Sequence, residues 1–198
     1  MRAVNVLLFD GFTTMDALGP AEALSRALYG EQKCYEIEYF SATGGLVGGS
    51  TNAKIWTRKL SEIAKFDVLI VPGGFAAREL AHEAEFIAAL GELARRHEYV
   101  IAICTGSVLI AKTGLLDGIE ATSNKLSWQW VTSEAPSVRW VRAARWCVSG
   151  KFYTGSGVSA GIDEALGFIA DMHGLDEAQR IARTMEYVWN SDKNAELF

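Results

Sequence analysis

The sequence predicts a single α/β domain, a three-layer α/β/α sandwich around a doubly wound and mostly parallel sheet. Short apolar runs rich in valine and isoleucine alternate with longer amphipathic segments, which is typical of strands buried on both faces and joined by helices. A chain of 198 residues can bury one substantial core. No linker, low-complexity tract or internal repeat divides the sequence. We therefore expect one domain over residues 1–198.

The predicted strands are short apolar runs that end at glycine, proline or a polar residue. They are Val4–Phe9, Tyr35–Phe40, Val68–Val71 and Tyr99–Ile103. Residues 138–154 differ, because two β-prone runs flank Ser149 and Gly150 and predict an antiparallel hairpin or edge pair. The sheet is therefore expected to be mostly parallel, with an antiparallel edge.

The predicted helices lie between and after these strands. They cover residues 80–94, Gly161–Met172 and Leu175–Trp189. In the first and third, apolar side chains recur at helical spacing. Right-handed crossovers then place helices on both faces of the sheet.

Composition argues against nucleic acid and membrane as partners. The net charge is -5, and no block rich in lysine and arginine is present. No apolar stretch reaches the length of a membrane span, and the first residues lack the features of a signal peptide. Three cysteines, an odd and sparse number, do not suit a disulfide framework. We expect a reduced, cytoplasmic protein.

Neither a metal nor a cofactor is expected. No cluster of histidine, cysteine and carboxylate residues has the spacing of metal ligands. The segment GSGVSAG at residues 155–161 misses the dinucleotide-binding pattern by one residue. We interpret it as a site of close backbone packing near the active site.

Cys104 is the candidate nucleophile, because a predicted strand ends there and Thr105 and Gly106 begin a turn. A strand-to-helix turn lifts the sulfur towards the crevice, and a helix N-terminus would stabilise the thiolate. The arrangement is analogous to the nucleophile elbow of serine hydrolases. Free cysteine is also among the most buried residue types, so a packing role stays open for Cys104 and is favoured for Cys34 and Cys147.

Two other strand ends are expected at the same edge of the sheet. The N–H groups near Gly73, Gly74 and Thr105 could hold an anion or a developing negative charge. Asp16 follows the first strand, where its carboxyl group either lies against the Cys104 sulfur or caps the helix that begins nearby.

Four tryptophans crowd one stretch of the sequence. They are Trp128, Trp130, Trp140 and Trp146. Such side chains either wall an apolar pocket or pack in the core or a subunit interface, and the sequence leaves these alternatives open.

Four segments resemble the ThiJ/PfpI superfamily, which has a flavodoxin-like, class I glutamine amidotransferase-like fold. They are FDGFTTMDALGPAEAL, DVLIVPGG, IAICTGSVLIAKTGLLDGIEAT and TGSGVSAGIDEALGFIA. Within the superfamily, MDALGP, CTGS and GVSAGID are most similar to the isocyanide hydratase branch.

The resemblance implies a cofactor-free hydratase or hydrolase of a small carbon-nitrogen compound. In that branch Cys104 would attack an isocyanide and form a thioimidate, Asp16 would move protons, and Thr105 would be a nearby polar group. Water would release an N-formamide. The DVLIVPGG segment would form the oxyanion turn at Gly73 and Gly74. The resemblance also implies a homodimer, for which the tryptophan-rich stretch offers apolar surface.

The sequence departs from the superfamily at Asn124, where a histidine often stands twenty positions after the cysteine. The three histidines of this chain lie in helix-like or surface segments, so a Cys-His protease or amidase lacks its base. Asn124 is instead a candidate pocket residue, together with Ser123 and Trp128.

Two alternative functions remain open. An activated cysteine beside a carboxyl group is prone to oxidation, so the protein could be a redox sensor or stress-response protein that acts through Cys104 without turnover. A glyoxalase-like or deglycase-like activity on reactive carbonyls is common in the wider superfamily, although the missing histidine argues against it.

Overall fold

The computed structural model describes residues 1–196 and 198. Its strands are β1 (Arg2–Leu7), β2 (Leu28–Tyr29), β3 (Gln32–Lys33), β4 (Tyr35–Ser41), β5 (Gly45–Gly48), β6 (Lys54–Lys59), β7 (Val68–Val71), β8 (Tyr99–Ile103), β9 (Glu120–Ala121), β10 (Arg139–Trp140), β11 (Trp146–Ser149) and β12 (Phe152–Gly155). Its α-helices are α1 (Thr14–Ser25), α2 (Ala77–Leu80), α3 (Ala84–Arg96), α4 (Gly106–Lys112), α5 (Trp128–Glu134), α6 (Ala160–His173) and α7 (Leu175–Thr184).

Eight of the strands form one sheet in the order β11-β12-β8-β7-β1-β4-β6-β5. The six inner strands run parallel, whereas β11 and β5 are antiparallel to their neighbours at the two edges. The predicted doubly wound, mostly parallel sheet is therefore confirmed. The carboxyl ends of β1, β7 and β8 lie next to one another, which brings the three predicted site segments together.

Helices cover both faces of the sheet, as predicted for a three-layer sandwich. On one face α1 packs against α6, and α6 packs against α7. Phe168 of α6 anchors this face by edge contacts with the rings of Tyr99 and Tyr153, at centroid distances of 5.2 and 5.1 Å. On the other face α4 contacts α2, α3 and α5, and Phe86 of α3 meets Phe9 edge to face at 6.1 Å. Aromatic and aliphatic burial on both faces stabilises the sheet.

The strand predictions hold best where strands are buried on both faces. β7 and β8 have the predicted bounds, and β4 gains one residue. β1 begins and ends two residues earlier than predicted, because the chain leaves the sheet ahead of a turn at Gly11, whose φ is +80°. The sequence did not predict β5 and β6, since these edge strands carry exposed side chains and no continuous apolar run.

Two helix predictions need correction. The segment at 80–94 is divided between α2 and α3. The C-terminal helix ends at Thr184 instead of Trp189, because Glu186 adopts a positive φ of +51° and turns the chain back. Trp189 therefore lies outside the helix, where its half-buried indole donates its N–H to the backbone carbonyl of Asp163.

The predicted hairpin is shorter than residues 138–154. Its strands are β11 and β12, joined through Gly150 with a φ of +60°. β10 lies outside it and pairs in parallel with β9. Among the helices that the described residues form, none is long and apolar enough to cross a membrane.

Candidate active site

The elbow is formed by Cys104, whose φ of +57° is left-handed and unusual for a residue other than glycine. Its N–H donates to the carbonyls of Gly155 and Ser156, at 3.1 and 2.9 Å. Its own carbonyl accepts hydrogen bonds from the hydroxyls of Ser107 and Ser123, each at 2.9 Å. The backbone of the candidate nucleophile is thus fixed on both sides, which offsets the local strain. The predicted strand-to-helix turn is therefore present, and the role of Cys104 as a nucleophile stays a prediction.

Asp16 lies on α1 with its side chain fully buried. It does not cap the helix, because the helix begins at Thr14 and the Asp16 carboxylate accepts the N–H of Gly73 at 3.0 Å. Pro20, inside the same helix, lacks the N–H that would bond to the carbonyl of Asp16. The second carboxylate oxygen, Oδ1, makes no hydrogen bond of good geometry with any residue that the structure describes.

The electrostatics of Asp16 suit a proton carrier. Burial raises the pKa of Asp16 to about 7, and the hydrogen bond from Gly73 and the contact with the Cys104 thiol only partly offset this rise. The Asp16 carboxyl group therefore changes charge near neutral pH, where a general acid and base is most effective.

The Cys104 thiol is less acidic than a helix N-terminus alone would make it. Burial, followed by the charge of Asp16, raises the pKa of Cys104 to about 12. The N–H groups of Thr105 and Val158, and the Thr105 hydroxyl, lower this pKa but are outweighed. The expectation of a thiolate stabilised mainly by the helix is therefore corrected. The Cys104 thiol and the Asp16 carboxyl group each raise or lower the pKa of the other, so their protonation states depend on one another.

The backbone donors are arranged differently from the expected oxyanion turn. The N–H of Gly73 is bonded to Asp16, and the N–H of Gly74 donates to the Thr105 hydroxyl at 3.0 Å. The groups that act on the sulfur are instead the N–H groups of Thr105 and Val158. Gly73 and Gly74 thus hold the side chains of Asp16 and Thr105 in place.

A pocket of about 210 Å³ opens beside the elbow and includes Cys104 and Thr105 in its wall. Its apolar wall contains Phe75, Leu126 and Val158. The polar residues in the wall are Thr13, Arg78, Asn124 and Ser127. Such a pocket suits a small and largely apolar substrate.

The three other candidate pocket residues have different roles. Asn124 lines the pocket, and its Oδ1 accepts the N–H of Ser127 at 2.9 Å. Ser123 is fully buried and holds the Cys104 carbonyl. Trp128 packs edge to face against Trp140 at 6.4 Å and, within the described part of the chain, is not in the pocket wall.

None of the three histidines lies at the elbow, but the expectation that each is a solvated surface residue is wrong for His97, which is buried. His82 is exposed and lies 3.3 Å from Glu134. His97 is bonded to the carbonyl of Leu93, and burial lowers its pKa to about 4. His173 is bonded to the hydroxyl of Tyr35. In the described residues, therefore, Asp16 is the group placed to exchange a proton with Cys104.

Sequence reasoning missed a second acid, Glu164. It lies on α6, is fully buried, and neither of its carboxyl oxygens has a hydrogen-bond partner among the described residues. Burial, followed by the charge of Asp16, raises the pKa of Glu164 well above its usual range. The sequence feature that could have revealed Glu164 is an acidic residue inside the apolar helix segment GIDEALGFIA.

Residues 1–196 and 198 contain no group of three or more histidine, cysteine and acidic side chains that could hold a metal.

We predict that Cys104 is the fastest-reacting cysteine in the folded protein at pH 7.5. It lines the pocket and has Asp16 as a proton acceptor, whereas Cys34 and Cys147 are free thiols outside the wall of that pocket as the described residues form it. Limited iodoacetamide labelling with peptide mapping measures this order. In the Asp16→Asn variant Cys104 should no longer be labelled faster than the other two cysteines. Equal or faster labelling of Cys34 in the unmodified chain would refute the prediction.

The chain was compared with known proteins and solved structures. The model of the DJ-1/PfpI family matches residues 2–171. Isonitrile hydratase from Pseudomonas putida is 30% identical over 191 residues, which cover 93% of this chain and 78% of that protein. A THiJ/PfpI family protein from Pseudomonas syringae is 25% identical, with a TM-score of 0.80 over 94% of this chain and 75% of that chain. Drosophila melanogaster DJ-1beta shares the fold, with a TM-score of 0.80, 22% identity, and coverage of 95% of this chain and 99% of that chain.

Proposed function

This chain belongs to the DJ-1/PfpI family, and from that premise we propose that it is a cysteine-dependent, cofactor-free hydratase of a small carbon-nitrogen compound. Its proposed substrates are isocyanides, which it would convert to N-formamides. The observation that carries the proposal is Cys104 in the wall of a small pocket, with its thiol in contact with the fully buried carboxyl group of Asp16. The similarity to isonitrile hydratase over 93% of the chain supports it.

In the first step the proton of the Cys104 thiol passes to the Asp16 carboxylate, and the sulfur attacks the terminal carbon of the isocyanide. A sulfur-carbon bond forms, and Asp16 returns its proton to the same carbon. The product is a thioimidate in which carbon is bonded to sulfur, hydrogen and the substituted nitrogen. The N–H groups of Thr105 and Val158 support the sulfur while it carries charge.

In the second step water adds to the thioimidate carbon while Asp16 accepts one of its protons and passes it to the nitrogen. The hydroxyl group of the adduct then gives its proton to the sulfur through Asp16 as the carbon-sulfur bond breaks, so the N-formamide leaves and the thiol is restored. One carboxyl group that titrates near neutral pH therefore serves as base and acid in turn. No histidine is needed for either step.

The test is turnover of an alkyl isocyanide, compared with methylglyoxal and a peptide, with a Cys104→Ala variant as the blank. The proposal expects formation of the N-formamide by the unmodified chain only. Mass spectrometry of quenched reactions should show the thioimidate on the peptide that contains Cys104. Absence of isocyanide turnover, or turnover that survives Cys104→Ala, would overturn the proposal.

We predict that kcat/KM for the substrate rises with pH, with a midpoint near 7, and then levels off. Asp16 must be ionised to accept the thiol proton, and its pKa is raised to about 7, so the protein loses activity as pH falls below that value. Rates measured between pH 5.5 and 9 check this. A flat profile, or one that falls across this range, would contradict the assignment of Asp16 as the base.

A redox role for Cys104 is the alternative from a different class. Its thiol shares the pocket wall with polar groups, so peroxide can reach it and convert it to sulfinic acid. This alternative expects oxidation of Cys104 at low peroxide concentration and no turnover of any substrate. A glyoxalase-like or deglycase-like activity would instead appear as methylglyoxal consumption in the same panel.

We predict a homodimer, although its surface differs from the one that the tryptophans suggested. Trp146 is buried and Trp128, Trp130 and Trp140 are half-buried. Two of the most exposed apolar side chains, Phe75 and Leu126, lie in the pocket wall, where they are 90% and 98% exposed, and we place the interface there.

Light scattering is expected to give about twice the 21.6 kDa of one chain. Leu126→Glu should weaken the dimer, because it places a charge on the proposed interface. Trp56→Glu, at a 71% exposed position on β6, is the matched control and should leave it intact. A monomeric mass for the unmodified chain at working concentration would refute the prediction.

A further inference from the structure

The interior between α1, α6 and the elbow contains an unusual group of unpaired atoms. Within the described residues, the buried side-chain oxygens and nitrogens without a hydrogen-bond partner are Oδ1 of Asp16 and both carboxyl oxygens of Glu164. Helices α1 and α6 pack against each other, and the two carboxyl groups interact electrostatically. Buried polar groups are nearly always satisfied, so three unpaired atoms in one region call for a physical explanation.

Glu164 lies directly beneath the elbow. A Cβ atom on Gly155 would come within 2.1 Å of its Oε2, so glycine at that position makes room for the carboxyl group. Gly155 is also the residue whose carbonyl accepts the N–H of Cys104. The acid is thus built into the wall that supports the nucleophile.

The two carboxyl groups have complementary hydrogen-bonding needs. A fully buried acid without a neighbouring cation stays protonated, and its O–H is then a hydrogen-bond donor that needs an acceptor. In the ionised Asp16, Oδ1 is an acceptor that has no donor among the described residues. A protonated carboxylic acid that donates to a charged centre is a known device for tuning active sites.

We propose that Glu164 is a positioning residue, a neutral acid whose O–H donates a hydrogen bond to the unpaired Oδ1 of Asp16. The hydrogen bond forms either directly, after a side-chain rotation, or across one water, since the three oxygens match the usual number of partners of a buried water. It stabilises the ionised form of Asp16 and so keeps that group able to accept the Cys104 proton near neutral pH. The inference rests on the proposed use of Asp16 as a proton acceptor, but not on the identity of the substrate.

No other charged group competes for this role. Asp16 faces Cys104 from the elbow and Glu164 from α6, and the N–H of Gly73 is its remaining partner. The neighbouring acid on α6, Asp163, points away and is paired with Arg145 at 2.7 Å. Among the described residues, the other titratable group that interacts with Glu164 is the thiol of Cys147, whose pKa is raised to about 11 by burial, so it carries no charge near neutral pH.

The test uses the pH dependence of Cys104 alkylation by iodoacetamide, which requires no substrate. The rate should fall below a midpoint near pH 7 in the unmodified chain, because a fully protonated pair has no base. Glu164→Leu removes the donor and should raise this midpoint by about one unit. Glu164→Gln keeps a neutral donor of the same size and should stay near the unmodified value. Glu164→Met repeats the loss of the donor with a flexible side chain, should the branched leucine disturb folding.

A structural role for Glu164 predicts a different outcome. An apolar residue would then replace a buried unpaired acid without cost, and the alkylation midpoint would stay the same in all variants. That result, or an equal shift in Glu164→Gln and Glu164→Leu, would overturn the proposal. In an Asp16→Asn background Glu164→Leu should have no further effect on the profile, and a persisting shift would show that Glu164 does not act through Asp16. Failure of isocyanide turnover with an intact alkylation pattern would reject the proposed function alone.

Discussion

Asp16→Asn is expected to lower turnover about a hundredfold or more while leaving the fold intact. The amide has the shape of the carboxyl group and can still accept the N–H of Gly73, so the pocket keeps its geometry. It cannot take the proton of Cys104 or return it to carbon. The loss should therefore appear in kcat and in the rate of thioimidate formation.

Stability supplies an internal control for this variant. The pKa of Asp16 is raised from 3.8 to about 7, so the folded state binds this proton more tightly than the unfolded state. Raising the pH from about 4 to about 7 consequently costs stability through Asp16. Asparagine has no such dependence, and its melting temperature at pH 8 should be equal to that of the unmodified chain or higher.

The possible outcomes separate the three interpretations of Asp16. Full activity of Asp16→Asn on a true substrate would exclude Asp16 as the proton carrier. A large fall in melting temperature would point to a structural role. The absence of turnover in both proteins, with altered sulfinic acid formation on Cys104, would support the redox alternative.

The inner strands and the elbow could be predicted from the sequence because each depends on a local pattern. β7 and β8 are buried on both faces, so their apolar runs are continuous and end where the sheet ends. Cys104 ends such a run two residues before Gly106, and this break in the apolar pattern predicted the elbow. β5 and β6 lie at an edge and expose Leu46 and Trp56, so no apolar pattern identified them.

The electrostatics of the site could not be predicted in the same way, because they depend on what other elements place nearby. The helix N-terminus favoured a stabilised thiolate, but burial and the charge of Asp16 outweigh it. Glu164 is distant from Asp16 in sequence, and only the packing of α1 on α6 brings the two acids into one interior. The N–H groups of Gly73 and Gly74 were correctly placed at the site, yet they bind its side chains.

Gly106→Ala is expected to destabilise the protein and to disable the elbow at the same time. A Cβ atom at Gly106 would lie 2.3 Å from the carbonyl oxygen of Val71 and 2.8 Å from the backbone of Pro72. These are backbone atoms at the end of β7, so they cannot rotate away as a flexible side chain would. Overpacking of this kind costs about 1–3 kcal/mol, or on the order of 5 °C in melting temperature for a chain of this size.

The effect on activity should exceed the effect on stability. Relief of the clash has to move the start of α4 away from the end of β7, and Cys104 and Thr105 move with it. A displacement of about 1 Å in a catalytic group can cost about a hundredfold in rate. Gly91→Ala is the matched control, because it lies in α3 and its Cβ would meet the flexible end of Arg95 at 3.3 Å and make ordinary van der Waals contact with Thr113 at 3.5 Å. The control should melt at the same temperature or slightly higher, since alanine favours a helix over glycine by about 1 kcal/mol. Calorimetry and turnover measurements on both variants test this prediction. Unchanged activity of Gly106→Ala would contradict it, because it would mean that the elbow can move without loss of function.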